Sequence, residues 1–332
     1  MLPVAVDAMG GDRAPTEIVA GARRAADELG VPVVLVGPPD RIGDAGGLPV
    51  IEAHEVIAMD EDPAKAVRRK KDSTLLRAAE AVRDGKASAM VSAGNTGAAM
   101  AAALFRMGRI KGVSRPAIAT PIPNPGGTPT VLLDAGANAD CQADWLVQFA
   151  QMGAVYARDR FGIAAPRVAL LSIGEEASKG NTLVKEARAL LDAGEWVGAT
   201  GATFAGNVEG RDLIGDAADV VVTDGFTGNV ALKAMEGSLT YLVGKIAEAI
   251  GADDDTRAAG DVLLPHLAPV AAEMDPDATG GAALLGVDGV CIISHGSSSA
   301  TAIVNAVRVA ADLAARDLPT SIAQAVTAHR RP

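Results

Sequence analysis

An α/β fold, a three-layer α/β/α sandwich around a mostly parallel sheet, is what this 332-residue sequence predicts. Three observations carry that expectation. Short apolar, β-rich runs recur along the chain. Helical patterns ending in Gly or Pro separate them. The composition is 49% hydrophobic with 37 Gly but only two Trp, two Tyr and five Phe, so the core is built from Ala, Val, Leu and Ile, which suits strands buried on both faces.

The elements follow in order. Residues 3–6 form the first strand; the run has no basic flank before it and is not a signal peptide. A helix over 16–29 leads to a strand at 33–36. Pro63 opens a short helix over 63–70, and Ser73 is the expected cap of the next, over 74–83. Strands at 89–92, 117–120 and 131–133 precede a long helix over 144–161. A strand at 168–173 feeds a helix over 181–193, and strands at 220–223 and 290–294 and a helix over 301–315 complete the alternation. Two uncharged stretches, 87–105 and 289–307, approach membrane-span length. Each holds a polar run, Ser-Ala-Gly-Asn-Thr-Gly or Ser-His-Gly-Ser-Ser-Ser, that hydrocarbon would leave unsatisfied, so transmembrane helices are rejected.

With no repeat and no long linker, the chain reads as one α/β/α unit over residues 1–332. A helical hairpin at 229–275 interrupts the rhythm. Its first helix, 229–250, carries Leu232, Met235, Leu239, Leu242, Ile246 and Ile250 on one stripe, followed by the turn Asp253-Asp254-Asp255. A second apolar stretch at 262–274 contains Pro265 and Pro269, which are expected to break or kink it. The stripe suits packing in the core, a dimer interface or a membrane surface.

Composition also removes function classes. A net charge of −11 opposes delocalised binding to nucleic acid. Two cysteines, Cys141 and Cys291, and four scattered His make neither a disulfide framework nor a structural zinc site, so no metal and a reducing, cytoplasmic compartment are expected. No GxGxxG follows the first strand, no GK[ST] occurs, and no GxSxG elbow is present, so neither NAD nor ATP is implied.

Ligands of parallel α/β sheets bind beyond the carboxyl ends of the strands. Six Gly-rich segments occupy such positions: Asp7-Ala8-Met9-Gly10-Gly11-Asp12, Ser92-Ala93-Gly94-Asn95-Thr96-Gly97, the run 134–140, the run 173–181, Asp224-Gly225-Phe226-Thr227-Gly228-Asn229, and Ser294-His295-Gly296-Ser297. Backbone N–H groups of such loops suit a phosphate or an oxyanion; several of the six could converge on one crevice, and six together point to a binding crevice. Three side chains within them are chemically capable. Lys179 could neutralise a phosphate or be an exposed lysine at a helix start. Asn229 could polarise a carbonyl oxygen or cap the long helix. His295 could move a proton or be a satisfied structural histidine.

Taken together, these motifs resemble the bacterial acyl-acyl-carrier-protein:phosphate acyltransferases, the PlsX family. The likeness runs almost end to end through Asp7 to Asp12, Lys70-Lys71-Asp72-Ser73, Ser92 to Ala98, Arg115-Pro116-Ala117, Asp134 to Cys141, Gly174-Glu175-Glu176 with Lys179-Gly180, Phe204 to Gly210, Asp224 to Val230, and Gly280-Gly281 through His295-Gly296. The resemblance implies a homodimer of Rossmann-like subunits related in fold to phosphotransacetylases and isocitrate dehydrogenases. It implies transfer of a long-chain acyl group from the thioester of acyl carrier protein to inorganic phosphate, giving an acyl phosphate for phosphatidic acid synthesis, with no cofactor and with a hairpin that touches the membrane peripherally.

On that reading Lys179 and the backbone around Gly94, Asn95, Thr96 and Gly97 hold phosphate, Asn229 assists the oxyanion, and His295 protonates the leaving thiolate. Asp7, Gly10, Gly11, Asn138, Asn207 and Gly228 are further candidates for the phosphate and substrate site. Carrier protein is acidic, so an enzyme of net charge −11 needs a local basic patch; Arg68-Arg69-Lys70-Lys71 and Arg106, Arg109 and Lys111 are the candidates. The competing readings are a coenzyme A-dependent phosphate acetyl- or butyryltransferase, a non-catalytic phosphate or acyl-lipid binding module and, third, an NAD-linked dehydrogenase.

Overall fold

The computed structural model describes residues 1–125, 127–273 and 275–328. Met274, the last residue of the expected second apolar stretch, and His329 lie outside them. The strands are β1 (Val4–Asp7), β2 (Val33–Gly37), β3 (Val50–Glu52), β4 (Ala89–Ser92), β5 (Ala117–Ile122), β6 (Thr130–Leu133), β7 (Arg167–Leu171), β8 (Thr203–Val208), β9 (Val220–Val222), β10 (Ala282–Leu285) and β11 (Val290–Ile293). The helices are α1 (Thr16–Leu29), α2 (Pro39–Ile42), α3 (Pro63–Arg69), α4 (Thr74–Arg83), α5 (Thr96–Arg106), α6 (Ala143–Phe161), α7 (Thr182–Asp192), α8 (Gly225–Ile250), α9 (Asp254–Glu273), α10 (Pro276–Thr279), α11 (Ala300–Ala315) and α12 (Leu318–Ala328).

All eleven strands join one sheet in the order β3-β2-β1-β4-β11-β10-β5-β6-β9-β7-β8. Strands β3, β2, β1, β4 and β11 are mutually parallel, and so are β6, β9, β7 and β8. Between these blocks, β10 is antiparallel to both β11 and β5, and β5 is antiparallel to β6. Three reversals mean that the two parallel blocks run in opposite senses. The three layers are as expected; the inversion in the middle of the sheet has no signature in hydrophobic periodicity.

Alternation along each strand divides the core between the two faces. Val4 and Val6, Val33 and Leu35, and Val168 and Leu170 pack under α1, α6 and α11, while Ala5, Val34, Met90, Ala169 and Leu171 face the other layer with α4 and α5. Each fully buried Val, Leu or Ile contributes about 1.5–3 kcal/mol against the conformational entropy of ordering the chain. The long helix α6 is buried along most of its length, including Phe149 and Tyr156, and so sits beneath the outer layer rather than on it.

The hairpin begins earlier than its sequence suggests. Helix α8 starts at Gly225, and its cap is Asp224, whose carboxylate accepts from the backbone N–H of Thr227 at 2.8 Å. Asn229 therefore lies inside the helix and does not cap it. Helix α9 runs without interruption through Pro265 and Pro269, against the expected break. The carbonyls that these prolines leave without ladder partners, on Asp261 and Pro265, belong to exposed residues where water can take the bond. Ala231, Leu232 and Met235 at the start of α8 pack onto the core, and Gly260 of α9 lets Ile250 approach closely. Beyond these contacts Tyr241, Leu242, Val243, Val262, Leu263 and Leu264 are exposed. No described helix is long and apolar enough to cross a membrane.

Candidate functional site

Opposed strand directions sort the six Gly-rich segments into two groups, and the hydrogen bonds of the described residues respect that division. The first group lies at the carboxyl ends of β1, β4 and β11. Asp7 is buried; its carboxylate accepts from Ser92 Oγ at 2.7 Å and from the Met9 N–H at 3.2 Å. Burial pushes its pKa above the ordinary carboxylate value, more than these hydrogen bonds lower it. Ser92 Oγ also accepts from the Gly94 N–H at 3.0 Å, and the Asp12 N–H donates to the Gly296 carbonyl at 2.8 Å, so the three loops are stitched together. Gly10 sits where a Cβ would fall 2.6 Å from Asp7 Oδ2 and 2.7 Å from the Gly94 nitrogen, which excludes any side chain. Gly11 passes against Gly296, and Gly97 against Pro63.

Asn95 is fully engaged in holding this group. Its Oδ1 caps α5 by accepting from the Ala98 N–H at 3.0 Å, and its Nδ2 donates to the carbonyls of Ala58, Met59 and Glu61. Thr96 is exposed at the first position of α5. His295 is exposed, with Nδ1 2.7 Å from Ser297 Oγ and within reach of the Ser297 N–H at 3.3 Å. With Nδ1 so occupied, Nε2 is the nitrogen left to face a ligand.

The second group lies at the carboxyl ends of β6, β9, β7 and β8. Asp134, wholly buried, organises it. Its Oδ1 accepts from the N–H groups of Ile118, Gly136 and Ala137 at 3.0, 3.1 and 2.9 Å; its Oδ2 accepts from the N–H and Nδ2 of Asn138 at 2.8 and 2.9 Å. Burial still holds this carboxyl above the usual range. The first turn of α8 rests on this loop: the Gly225 N–H donates to the Asn138 carbonyl at 2.7 Å, and Gly228 has no space for a Cβ against the Asp134 carbonyl. Asn229 is exposed and lies beside Gly136, whose Cβ position is 3.6 Å from Asn229 Oδ1. Asn138 itself donates to the Pro116 carbonyl at 2.8 Å and serves as a brace.

Lys179 belongs to the same group. It is exposed in the 173–181 loop, two residues before Asn181, which caps α7 by accepting from the Val184 N–H at 2.9 Å. Asn207 at the end of β8 donates to the Glu176 carbonyl at 3.1 Å and ties this loop to the sheet. Asn207 Oδ1, Ser172 Oγ and Arg188 Nη1 are buried without a protein partner. Ser172 and Arg188 were invisible in the sequence as candidates, because neither stands in a Gly-rich segment; both become notable only when their hydrogen bonds are counted. Lys179 and Asn229 thus share one group, whereas Gly94 to Gly97 and His295 share the other.

Burial pushes the Cys141 thiol up to about 12, with the carboxylates of Asp134, Asp224 and Asp140 adding to it, and burial alone does the same for Cys291. Neither is a thiolate near neutral pH. Among the described residues no cluster of three or more His, Cys, Asp and Glu side chains is arranged to hold a metal ion. Of the basic candidates, Lys70 is ion-paired with Glu61 and bonded to the Val56 carbonyl, and Arg106 pairs with Glu80. Arg68, Arg69 and Lys71 are exposed and form no ion pair among the described residues.

A family model described as fatty acid synthesis protein matches residues 2–321. The chain belongs to that family. It is similar to the phosphate acyltransferase of Pelotomaculum thermopropionicum, 50% identical over 93% of this chain and 90% of that one, and to the phosphate acyltransferase of Elusimicrobium minutum, 47% identical over 98% and 96%. Among solved structures, a phosphotransacetylase from Streptococcus pyogenes superposes with a TM-score of 0.63 at 18% identity, over 95% of this chain and 94% of that one. The EutD phosphotransacetylase from Staphylococcus aureus gives 0.58 at 18% identity, over 98% and 94%. At such identities the structural likeness speaks for the fold.

Proposed function

We propose that this protein is a phosphate acyltransferase that moves a long-chain acyl group from the thioester of acyl carrier protein to inorganic phosphate. The supporting observation is near-full-length similarity, at about half identity, to proteins named phosphate acyltransferase. A phosphate oxygen attacks the thioester carbonyl, the C–O bond forms, the C–S bond breaks, and the thiolate takes a proton. Phosphate is already anionic at neutral pH, so the enzyme's tasks are to position it, to stabilise the tetrahedral oxyanion and to help the thiol depart. Both cysteines are held as thiols, which argues for direct attack rather than an acyl-cysteine intermediate.

The two loop groups divide these tasks. Lys179 and Asn229 serve phosphate and the oxyanion from the carboxyl ends of β7 and β9. The Gly94 to Gly97 backbone and His295 serve from β4 and β11, with His295 as proton donor to sulfur. Asp7, Gly10, Gly11, Asn138, Asn207 and Gly228 give the loops their shape rather than touching the reacting atoms. The exposed apolar residues of α8 and α9 are where we place the contact with a second copy of the chain and with lipid; vesicle flotation and sedimentation of a variant carrying Leu242→Ser and Leu263→Ser test both, and unchanged behaviour in each would dismiss the assignment.

The deciding experiment is release of free carrier-protein thiol from palmitoyl-acyl carrier protein with and without phosphate, trapping the product with hydroxylamine. Phosphate-dependent release with hydroxamate formation supports the proposal. Activity with acetyl-coenzyme A and none with the carrier-protein donor would replace it with a phosphotransacetylase, and binding without turnover by either donor would replace it with a binding module.

A further inference from the structure

An open cleft of about 670 Å3 lies at the start of β5, lined by Leu104, Arg109, Ser114, Arg115, Pro116 and Trp145 among others. Its rim is fixed by side chains from three directions. Gln148 of α6 donates through Nε2 to the Gly112 carbonyl at 3.0 Å and accepts from the Ser114 N–H at 2.8 Å. Arg109 Nη1 donates to the Ser114 carbonyl at 2.5 Å, and Asn138 Nδ2 donates to the Pro116 carbonyl. A short surface turn held by this many side chains is preorganised for binding.

Arg115 projects from this rim with its guanidinium carbon 4.8 Å from the centre of the Trp145 ring. Stacking on the indole fixes the guanidinium while leaving its N–H edge available. Among the described residues Arg115 forms no ion pair or hydrogen bond, and Arg109 forms no ion pair. The neighbouring Arg106, by contrast, is held by a carboxylate, that of Glu80, as Arg167 is by Asp216 and Asp219. Two guanidinium groups without acidic partners in one cleft of a chain with net charge −11 mark a place for an anion. The walls, Leu104 and the indole, suit a slender chain of methylene and amide groups attached to that anion. Through Pro116 and Asn138 the cleft also shares a hydrogen bond with the Asp134 loop on which Asn229 is mounted.

We propose that this cleft binds the phosphodiester and pantetheine arm of the acyl donor, with Arg109 and Arg115 on the phosphodiester and Trp145 along the arm. The assignment rests on the phosphate acyltransferase reading and identifies where its donor enters. Arg115 is then a residue that discriminates between donors.

Two measurements test it. For Arg115→Gln, KM for acyl-carrier protein should rise at least about tenfold, while kcat/KM for an octanoyl-N-acetylcysteamine thioester, which lacks the phosphodiester, and KM for inorganic phosphate stay within about twofold. A raised KM for phosphate would mean that the cleft holds the acceptor, and equal loss with both donors would mean a structural role; either overturns the proposal, as would an unchanged carrier-protein KM. Independently of turnover, free 4′-phosphopantetheine should alter the fluorescence of the wild-type protein and not that of Arg115→Gln. Trp145 is the reporter, since the other tryptophan, Trp196, is buried. No change in the wild type overturns the cleft assignment. A wild type that binds the arm but shows no phosphate-dependent turnover would overturn the acyltransferase reading instead.

Discussion

Replacing Asp134 by Asn changes one atom of a buried side chain and reverses its hydrogen-bonding sense. The carboxylate accepts five hydrogen bonds, three at Oδ1 and two at Oδ2. If the new amide keeps its oxygen at the Oδ1 position, its NH2 faces the N–H and Nδ2 of Asn138, and two donors lose their acceptor. At about 1–3 kcal/mol for each buried group left unsatisfied, the gross loss is about 2–6 kcal/mol. Flipping the amide is worse, since three backbone donors then face NH2. Removing a carboxylate that burial disfavours returns part of this, so the net loss should be about 1–4 kcal/mol. Equilibrium urea unfolding at pH 7 reads it directly as a lower midpoint with an unchanged slope. Activity should fall with stability, because the same loop carries the first turn of α8 and Asn229. A variant within about 0.5 kcal/mol of wild type would refute the view that Asp134 organises this half of the site.

Other consequences are equally open to measurement. His295→Ala should lower kcat by about 10²- to 10⁴-fold with little effect on KM for phosphate, and a change within about threefold would remove His295 as the acid. Combined Arg68→Glu and Arg69→Glu should raise KM for carrier protein but not for phosphate; Lys70 is left out because it is already paired with Glu61, and an unchanged KM would dismiss the patch. Gly228→Ala should destabilise the fold by about 1–3 kcal/mol or more by driving a methyl group into the Asp134 carbonyl, so a wild-type melting temperature would contradict the close packing of α8 on that loop. The neutral forms of Asp7 and Asp134 are favoured by burial, so the stability they lend is fully present below the unfolded carboxylate value near pH 4 and is lost as pH rises through their native values. The unfolding free energy of Asp7→Asn should therefore decline less than that of wild type from pH 4 to 7, and a steeper decline would reverse the assigned direction.

Much of the fold is legible before any coordinates, for a simple reason. Strands such as 33–37 and 89–92 are buried on both faces, so their apolar runs are continuous and end sharply at polar, Gly-rich turns. The strands that escape notice lack that contrast: β8 reads Thr-Phe-Ala-Gly-Asn-Val with a bulge between Phe204 and Gly206, β3 is three residues long, and β10 is flanked by Gly280-Gly281 and Gly286. Helix α5 hides because its Ala-rich sequence, charged only at Arg106 in its last turn, has no polar face, and α12 because its pattern is short. Positions of the site loops are readable from strand ends, but their partition is not. Whether Gly94 meets Gly10 or Asn229 depends on strand direction, and no local pattern distinguishes β10 running down from β10 running up. Side-chain roles divide in the same way: Asn95 and Asn138 look like ligand-binding residues in a Gly-rich run, and only the carbonyls of Met59, Glu61 and Pro116 reveal them as braces.

The neighbours of β4 set a timetable for synthesis. β1 to β4 are complete once residue 92 has emerged, yet the strand that closes the free edge of β4 is β11, at Val290–Ile293, and the face of α1 is covered by α11. Between these events the ribosome must add roughly 200 residues, on the order of 10 to 40 s at typical elongation rates. For that interval the nascent chain holds an apolar strand edge and a bare helix face, the combination that invites mispairing with other chains. A stop anywhere before residue 290 is thus expected to leave an adhesive fragment rather than a smaller working unit, and the packing of residues 1–92 is hostage to the arrival of residues 290–315.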